Sequence, residues 1–326
     1  MDFVLDLVLD LSMNLPINVS ECHRFCFSGG GMNGIQFIGS LVFLQDIIDF
    51  RSYTRQVTDF FGTSVGSLCA LLCYLRADFQ SVKTLQLVNS FVDVVGNFDQ
   101  VPLLNGRLYF HGGIHSGKHV ITFLITTIHD LCGLYNPRFC DLNRLFPLDK
   151  LLVVATDVDG CCEKIFSTDQ TPNIFVADAI FASMCLPFYF REFKIENQTY
   201  IDGGLMNNIP FCVDLVELFH SNLNTKQCLI FKIESHPPST KGPLPEHHQQ
   251  LTSLSSFLWA IISGSTQLFI FQKSMCKVIN EVRPTLFFYT ITFPSLEHAF
   301  AFNKQAVCRL LNSGENIIKN SVKEIN

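Results

Sequence analysis

A serine between two glycines, Gly62-Thr63-Ser64-Val65-Gly66, joins an apolar run that reads as a strand (Val57 to Phe61) to one that reads as a helix (Ser67 to Leu75). No other feature restricts the fold as much. A G-x-S-x-G string in strand–turn–helix context holds the serine hydroxyl on a sharp turn above the end of a sheet. The flanking glycines let that turn close without side-chain collision. Upstream, Arg24 to Phe27 predicts a short buried strand that runs into a glycine loop, Gly29-Gly30-Gly31-Met32-Asn33-Gly34. Ile35, Ile38, Leu41, Val42 and Ile48 then recur at helical spacing and predict a helix from Ile35 to Phe50.

The same alternation continues downstream. Leu151 to Ala155 is an uninterrupted apolar run of the kind found in a central strand. Glu163 to Ser167, Thr199 to Ile201, Cys228 to Ile233 and Leu286 to Thr292 read as further strands. Helices are expected over Ser81 to Val95, Val120 to Leu131, Val176 to Met184 (ended by Pro187), Ser253 to Val282 and Glu297 to Val322. Pro210 suits the first turn of a helix reaching about His220. Gly96 to Lys118 and the proline-rich His236 to Gln250 read as loops. Strands alternating with helices predict an α/β fold with helices on both faces of the sheet. The division is an N-terminal segment over residues 1–22, apolar with an acidic edge of Asp2, Asp6 and Asp10, packed on a single domain over 23–326. Within that domain the motifs occupy 23–212, and a helical C-terminal section occupies about 250–326.

Composition narrows the function classes. A net charge of −6 without a long basic run argues against nucleic acid and against strong adhesion to anionic lipid. The 13 cysteines lack any C-x-x-C pair and read as buried free thiols of a reducing, cytoplasmic compartment. The 32 phenylalanines read chiefly as core filling. Phe257 to Phe271 is too short and too polar for a membrane span. No spanning helix and no secretion signal are expected.

Several constellations compete for the chemistry. Gly29-x-Gly31-x-x-Gly34 also satisfies a dinucleotide fingerprint, but the acidic residues at the required distance, Asp46 and Asp49, fall inside the predicted helix. Asp202 followed by His220, His236 or His298 has the chain order of a Ser–Asp–His triad. His111, His115 and His119 are spaced like metal ligands, yet Gly112, Gly113 and Gly117 disfavour the helix that would align them, so no metal is expected. Asp157-Val158-Asp159 reads as a strand-end turn.

The glycine loop, the elbow around Ser64 and Asp202-Gly203-Gly204 follow one another in order, with Ala182-Ser183 and Pro187 between the second and the third. Tyr200-Ile201 precedes the last string, and Asn208 and Pro210 follow it. From about His23 to Cys212 this pattern resembles the patatin-like phospholipases. The resemblance implies a three-layer α/β/α fold with a mostly parallel central sheet. It implies a Ser–Asp dyad of Ser64 and Asp202, with an oxyanion hole from Gly29, Gly30, Gly31 and Gly34. Gly62, Gly66, Gly203 and Gly204 would support the turns. The implied activity is cofactor-free hydrolysis of phospholipid or other acyl-ester lipid at a membrane or micelle surface, by a cytoplasmic protein peripheral to that membrane. A triad esterase or acyltransferase, and a silent lipid-binding protein of the same fold, are the alternatives. The family pattern commonly carries Arg or Lys before the last glycine of the loop, where this chain has Asn33.

Overall fold

The computed structural model describes residues 22–48, 57–95, 113–211, 226–233, 286–296 and 304–322. In chain order the strands are β1 (Cys22–Phe27), β2 (Asp59–Thr63), β3 (Gly113–His115), β4 (Lys150–Asp157), β5 (Cys162–Ser167), β6 (Phe188–Phe190), β7 (Phe193–Ile195), β8 (Gln198–Asp202), β9 (Lys226–Ile233) and β10 (Leu286–Phe293). The helices are α1 (Ile35–Ile47), α2 (Val65–Tyr74), α3 (Val82–Val95), α4 (Lys118–Cys132), α5 (Phe139–Leu145), α6 (Val176–Met184) and α7 (Lys304–Ser321). Strands β10-β9-β1-β2-β4 run parallel in that spatial order, and β8 and β7 extend the sheet in antiparallel sense. The result is a mixed α/β architecture with a mostly parallel central sheet flanked by helices.

Strand β4 organises the site. Along one edge it pairs with β2 as far as Thr63 opposite Val154, and along the other with antiparallel β5. Where β2 leaves the sheet at the elbow, β8 takes over the same edge, with Asp202 opposite Ala155. Thr63 and Asp202 therefore face consecutive residues of one strand. The residue after Thr63 is Ser64, so sheet pairing alone delivers the serine and the aspartate to one place.

Phenylalanine fills the centre. Phe25, Phe27, Phe37 and Phe60 are fully buried, and the Phe27 and Phe231 rings stack at 4.6 Å with Phe293 stacked on Phe231 at 6.2 Å. Every residue of α2 is buried, which suits its even apolar character. At the opposite end of β2 from Ser64, Arg24 pairs with Asp59 at 2.9 Å. Burial alone would push the Asp59 carboxyl up, but Arg24, His23 and the Arg24 and Thr58 hydrogen bonds outweigh it and hold the group below its ordinary value. Helix α7 closes over α1, where Ser40 Oγ donates to the Gly314 carbonyl at 3.0 Å.

Some boundaries differ from the sequence reading, for local reasons. Strand β2 begins at Asp59, two residues later than expected, because Asp59 pairs in register with Arg24 and Gly62-Thr63 remain extended against β4. Helix α1 ends at Ile47, since Ile48 is extended (φ −121). Cys22, assigned to the N-terminal segment, is the buried first residue of β1. Part of the expected loop from Gly96 to Lys118 is strand β3, paired with β6, and Lys118 already opens α4. Helix α5 and the three-residue strands β6 and β7 had no sequence signal. Residues 1–21, and the expected elements at Pro210 to His220, His236 to Gln250 and Ser253 to Val282, lie wholly or largely outside the described residues. Among the described residues no helix is long and apolar enough to cross a membrane, and the cysteines are free thiols.

Candidate active site

Ser64 is the turn between β2 and α2, and its backbone lies at φ 53, ψ −129. Non-glycine residues rarely hold a positive φ, at a cost of about 1–3 kcal/mol unless neighbours enforce it. Here they do. The Ser64 N–H donates to Ser183 Oγ at 2.8 Å, and Ser67 Oγ donates to the Ser64 carbonyl at 2.6 Å. A side chain at Gly66 would run into the Phe27 carbonyl, and one at Gly62 into the Gly66 carbonyl, so only glycine lets α2 start this close to β1. The N-terminus of α2, with its partial positive charge, adjoins the serine.

Asp202, 138 residues away in sequence, accepts a hydrogen bond from Ser64 Oγ at 2.7 Å. Its other carboxylate oxygen accepts from the Gly204 N–H at 2.8 Å. The backbone is fixed as well, because the Asp202 N–H donates to the Cys185 carbonyl and Thr156 Oγ1 donates to the Asp202 carbonyl. Asp202 is 1% exposed. That burial pushes its carboxyl up to about 6, against the opposing pull of the Ser64 and Gly204 hydrogen bonds. A carboxylate so poised can take a proton from a hydroxyl and return it near neutral pH. Among the described residues no histidine contacts Ser64 or Asp202. His220, His236 and His298 lie outside the described residues.

The glycine loop packs against the elbow: a side chain at Gly29 would press on Ser64 and Asn208, and one at Gly34 on Val65. The Gly29 N–H is engaged by the Asn208 carbonyl at 3.2 Å. The N–H groups of Gly30 and Gly31 have no partner among the described residues, and Gly31 has a positive φ of 53. From Gly31 the loop coils through one tight turn into α1. Asn33 is fully buried there. Its Nδ2 donates to Ser295 Oγ at 3.3 Å and its Oδ1 accepts from the Leu296 N–H at 3.0 Å, which ties the loop to the segment after β10. An amide satisfies both partners where a cationic side chain could not accept.

Ser183 has a part that sequence reasoning missed. It accepts from the Ser64 N–H and donates to the Val154 carbonyl, which bridges the elbow to β4. Its neighbours Ala182 and Pro187 mark the region, but nothing local reveals the bridge. Ser183→Ala leaves two buried backbone groups unpaired and is expected to destabilise the fold by about 1–3 kcal/mol. Urea unfolding checks this, and an unshifted midpoint would mean that the bridge carries no weight. Gly203 lies against the Val154 carbonyl, one residue before the Gly204 that binds Asp202.

His115 and His119 line one cavity, while Asp157 ends β4 and Asp159 sits in the turn after it. His115 is in β3 and His119 in α4, while His111 lies outside the described residues. Among the described residues no three His, Cys, Asp or Glu side chains are grouped to hold a metal ion. Asp157 accepts from the Gly160 N–H, as a turn residue does, and Asp159 accepts from the Thr199 N–H of β8.

The chain is 26% identical over 209 residues to the "Probable lipid hydrolase 463L" of Invertebrate iridescent virus 6, over 61% of this chain and 65% of that protein. It is 22% identical over 208 residues to the uncharacterized protein R571 of Acanthamoeba polyphaga mimivirus, over 64% and 65% of the two chains. The matches thus span just under two thirds of the length of these relatives. Among solved structures, VipD from Legionella pneumophila aligns with a TM-score of 0.46 and 12% identity, over 92% of this chain and 66% of that one. ExoU of Pseudomonas aeruginosa, solved with SpcU, aligns with a TM-score of 0.44 and 16% identity, over 93% and 53%. The family model for patatin-like phospholipases matches residues 25–213, more than half of the chain and all three glycine strings, so the chain belongs to the patatin-like phospholipase family.

Proposed function

We propose that the chain is a lipid acyl hydrolase working through a Ser64–Asp202 dyad. The observation that carries the reading is the 2.7 Å hydrogen bond from Ser64 Oγ to a buried carboxylate. Asp202 takes the hydroxyl proton as Oγ attacks the acyl carbonyl, and the N–H groups of Gly30 and Gly31 stabilise the oxyanion. Collapse of the tetrahedral intermediate expels the alcohol portion of the lipid, which leaves with the proton from Asp202. Water, activated by the same carboxylate, then releases the fatty acid from the acyl-enzyme. Neither a metal nor an organic cofactor enters the scheme. The substrate class is phospholipid, lysophospholipid or neutral glyceride, met at a membrane or micelle surface.

A fluorophosphonate probe tests the nucleophile directly. The purified chain is expected to become labelled at Ser64, and an unlabelled Ser64 would leave a lipid-binding protein of the same fold as the better reading. The pH dependence of kcat/KM tests the base. Only ionised Asp202 accepts the proton, and burial pushes its carboxyl up to about 6. The rate therefore climbs with pH through a midpoint near that value and levels off about one unit above it. A profile already level at pH 4.5 would remove Asp202 from the role.

A further inference from the structure

A cavity of about 630 Å³ opens where the end of α3, β3, the start of α4 and β6 meet. Its lining is cationic in a chain whose net charge is −6. Lys118 and His119 are exposed on the first turn of α4, and Arg191 follows β6. None of the three is paired with a carboxylate among the described residues, and Arg191 Nε is shielded from solvent without a hydrogen-bond partner. His115 lies on the same wall, its ring 4.6 Å from that of Tyr189. The acidic side chain of the lining, Asp93, is ion-paired with Lys304.

The helix end adds to this charge. Helix α4 is 15 residues long and no side chain caps its first turn, so N–H groups at its positive end are left for a ligand. Gly117, which precedes α4, is fixed by packing. It has φ +72, and a side chain there would collide with the Phe181 ring. The walls are set by packing, since the Tyr189 hydroxyl donates to the Val95 carbonyl and the Arg191 N–H to the His115 carbonyl. A guanidinium, an ammonium and a helix N-terminus converging on one space suit a multiply charged oxyanion with several acceptor oxygens. The volume leaves room for a substituent on that anion.

We infer that this cavity binds a phosphate group, through Lys118, Arg191, His119 and the N-terminus of α4. A short connection runs from it to the dyad: Cys185 Sγ donates to the Arg191 carbonyl at 3.7 Å, and the Cys185 carbonyl accepts the Asp202 N–H at 2.8 Å. On the lipid-hydrolase reading, on which this part rests, the phosphate is that of a phospholipid headgroup. The same chemistry would also hold a free phosphate anion.

Calorimetric titration separates these sources without requiring turnover. Inorganic phosphate, glycerol 3-phosphate and submicellar dihexanoyl phosphatidic acid are titrated into the Ser64→Ala chain, and into the same chain carrying Lys118→Gln and Arg191→Gln. Saturable binding that weakens with salt is expected, with a loss of about tenfold or more in the substituted chain at unchanged Tm. Tighter binding of the phosphatidic acid than of inorganic phosphate identifies the headgroup as the ligand, and equal affinity identifies the free anion. If the double substitution lowers Tm, His119→Gln on the exposed first turn of α4 is read instead, with a weaker affinity expected. Absence of saturable binding by all three probes, or equal affinity in well-folded variants, would overturn the site. Because binding is read directly, a chain that hydrolyses no lipid still tests the cavity.

Discussion

Ser64→Ala is expected to lower kcat for lipid-ester hydrolysis by about 10⁶-fold, the scale on which a serine hydrolase loses activity with its nucleophile. The substitution removes one hydroxyl and leaves the elbow in place. The Ser64 N–H still donates to Ser183 Oγ, and Ser67 still donates to the Ser64 carbonyl. Alanine holds the positive φ of 53 no better and no worse than serine, so backbone strain is unchanged. The missing hydrogen bond to the buried Asp202 carboxylate lowers stability by about 1–3 kcal/mol. A folded but inactive variant is thus the expected result, measured with purified protein on phospholipid and glyceride esters. Fluorophosphonate labelling should disappear with the activity. Retention of more than about a tenth of the wild-type rate, far above such losses, would mean that the nucleophile is another residue.

The local geometry around Ser64 was legible because it is built from neighbours. Val176 to Met184 forms a helix with the expected bounds, since its apolar spacing and Pro187 both act within a few residues. The strand, glycine loop and helix from Arg24 onward are local in the same way. What brings Asp202 to Ser64 is different. It depends on β8 taking the edge of β4 that β2 vacates, which joins two residues 138 apart in sequence through a pairing that no periodicity encodes. Strands β6 and β7 are three residues each, too short to show alternation. The bridge through Ser183 and the amide that pins Asn33 to Ser295 and Leu296 are tertiary hydrogen bonds of otherwise unremarkable polar residues. The cationic cavity is invisible in the composition, because its charges come from two segments of an acidic chain. The displaced ionisation of Asp202 arises from burial, which exists only once the fold has formed.

That displacement makes Asp202→Asn the variant with two opposite effects. An amide cannot take the serine proton, so turnover is expected to fall by about 10⁴-fold or more. Stability moves the other way. The Asp202 carboxyl is pushed up to about 6 in the fold by burial, against an unfolded value of about 3.9. The folded state therefore holds the proton more tightly than the unfolded chain. Its stability is fully present below about pH 4 and declines as pH rises through the folded value, by about 3 kcal/mol at pH 8. Asparagine carries no charge to bury and can still accept the Gly204 N–H. The variant should melt about 5 °C above wild type at pH 8, and the difference should vanish near pH 4. Thermal unfolding at the two pH values, alongside steady-state kinetics, reads both effects in one protein. The histidines complete the test, since a dyad leaves them dispensable. Single replacement of His220, His236 and His298 should each preserve substantial activity. A histidine whose loss matches that of Ser64 would instead make the base an imidazole and the mechanism a triad. Loss of turnover without a gain in stability at pH 8 would keep Asp202 in the chemistry but contradict a buried, proton-retaining carboxylate. Both effects together would identify the dyad aspartate as a group held in the fold at a stability cost because the reaction needs a base poised near neutrality.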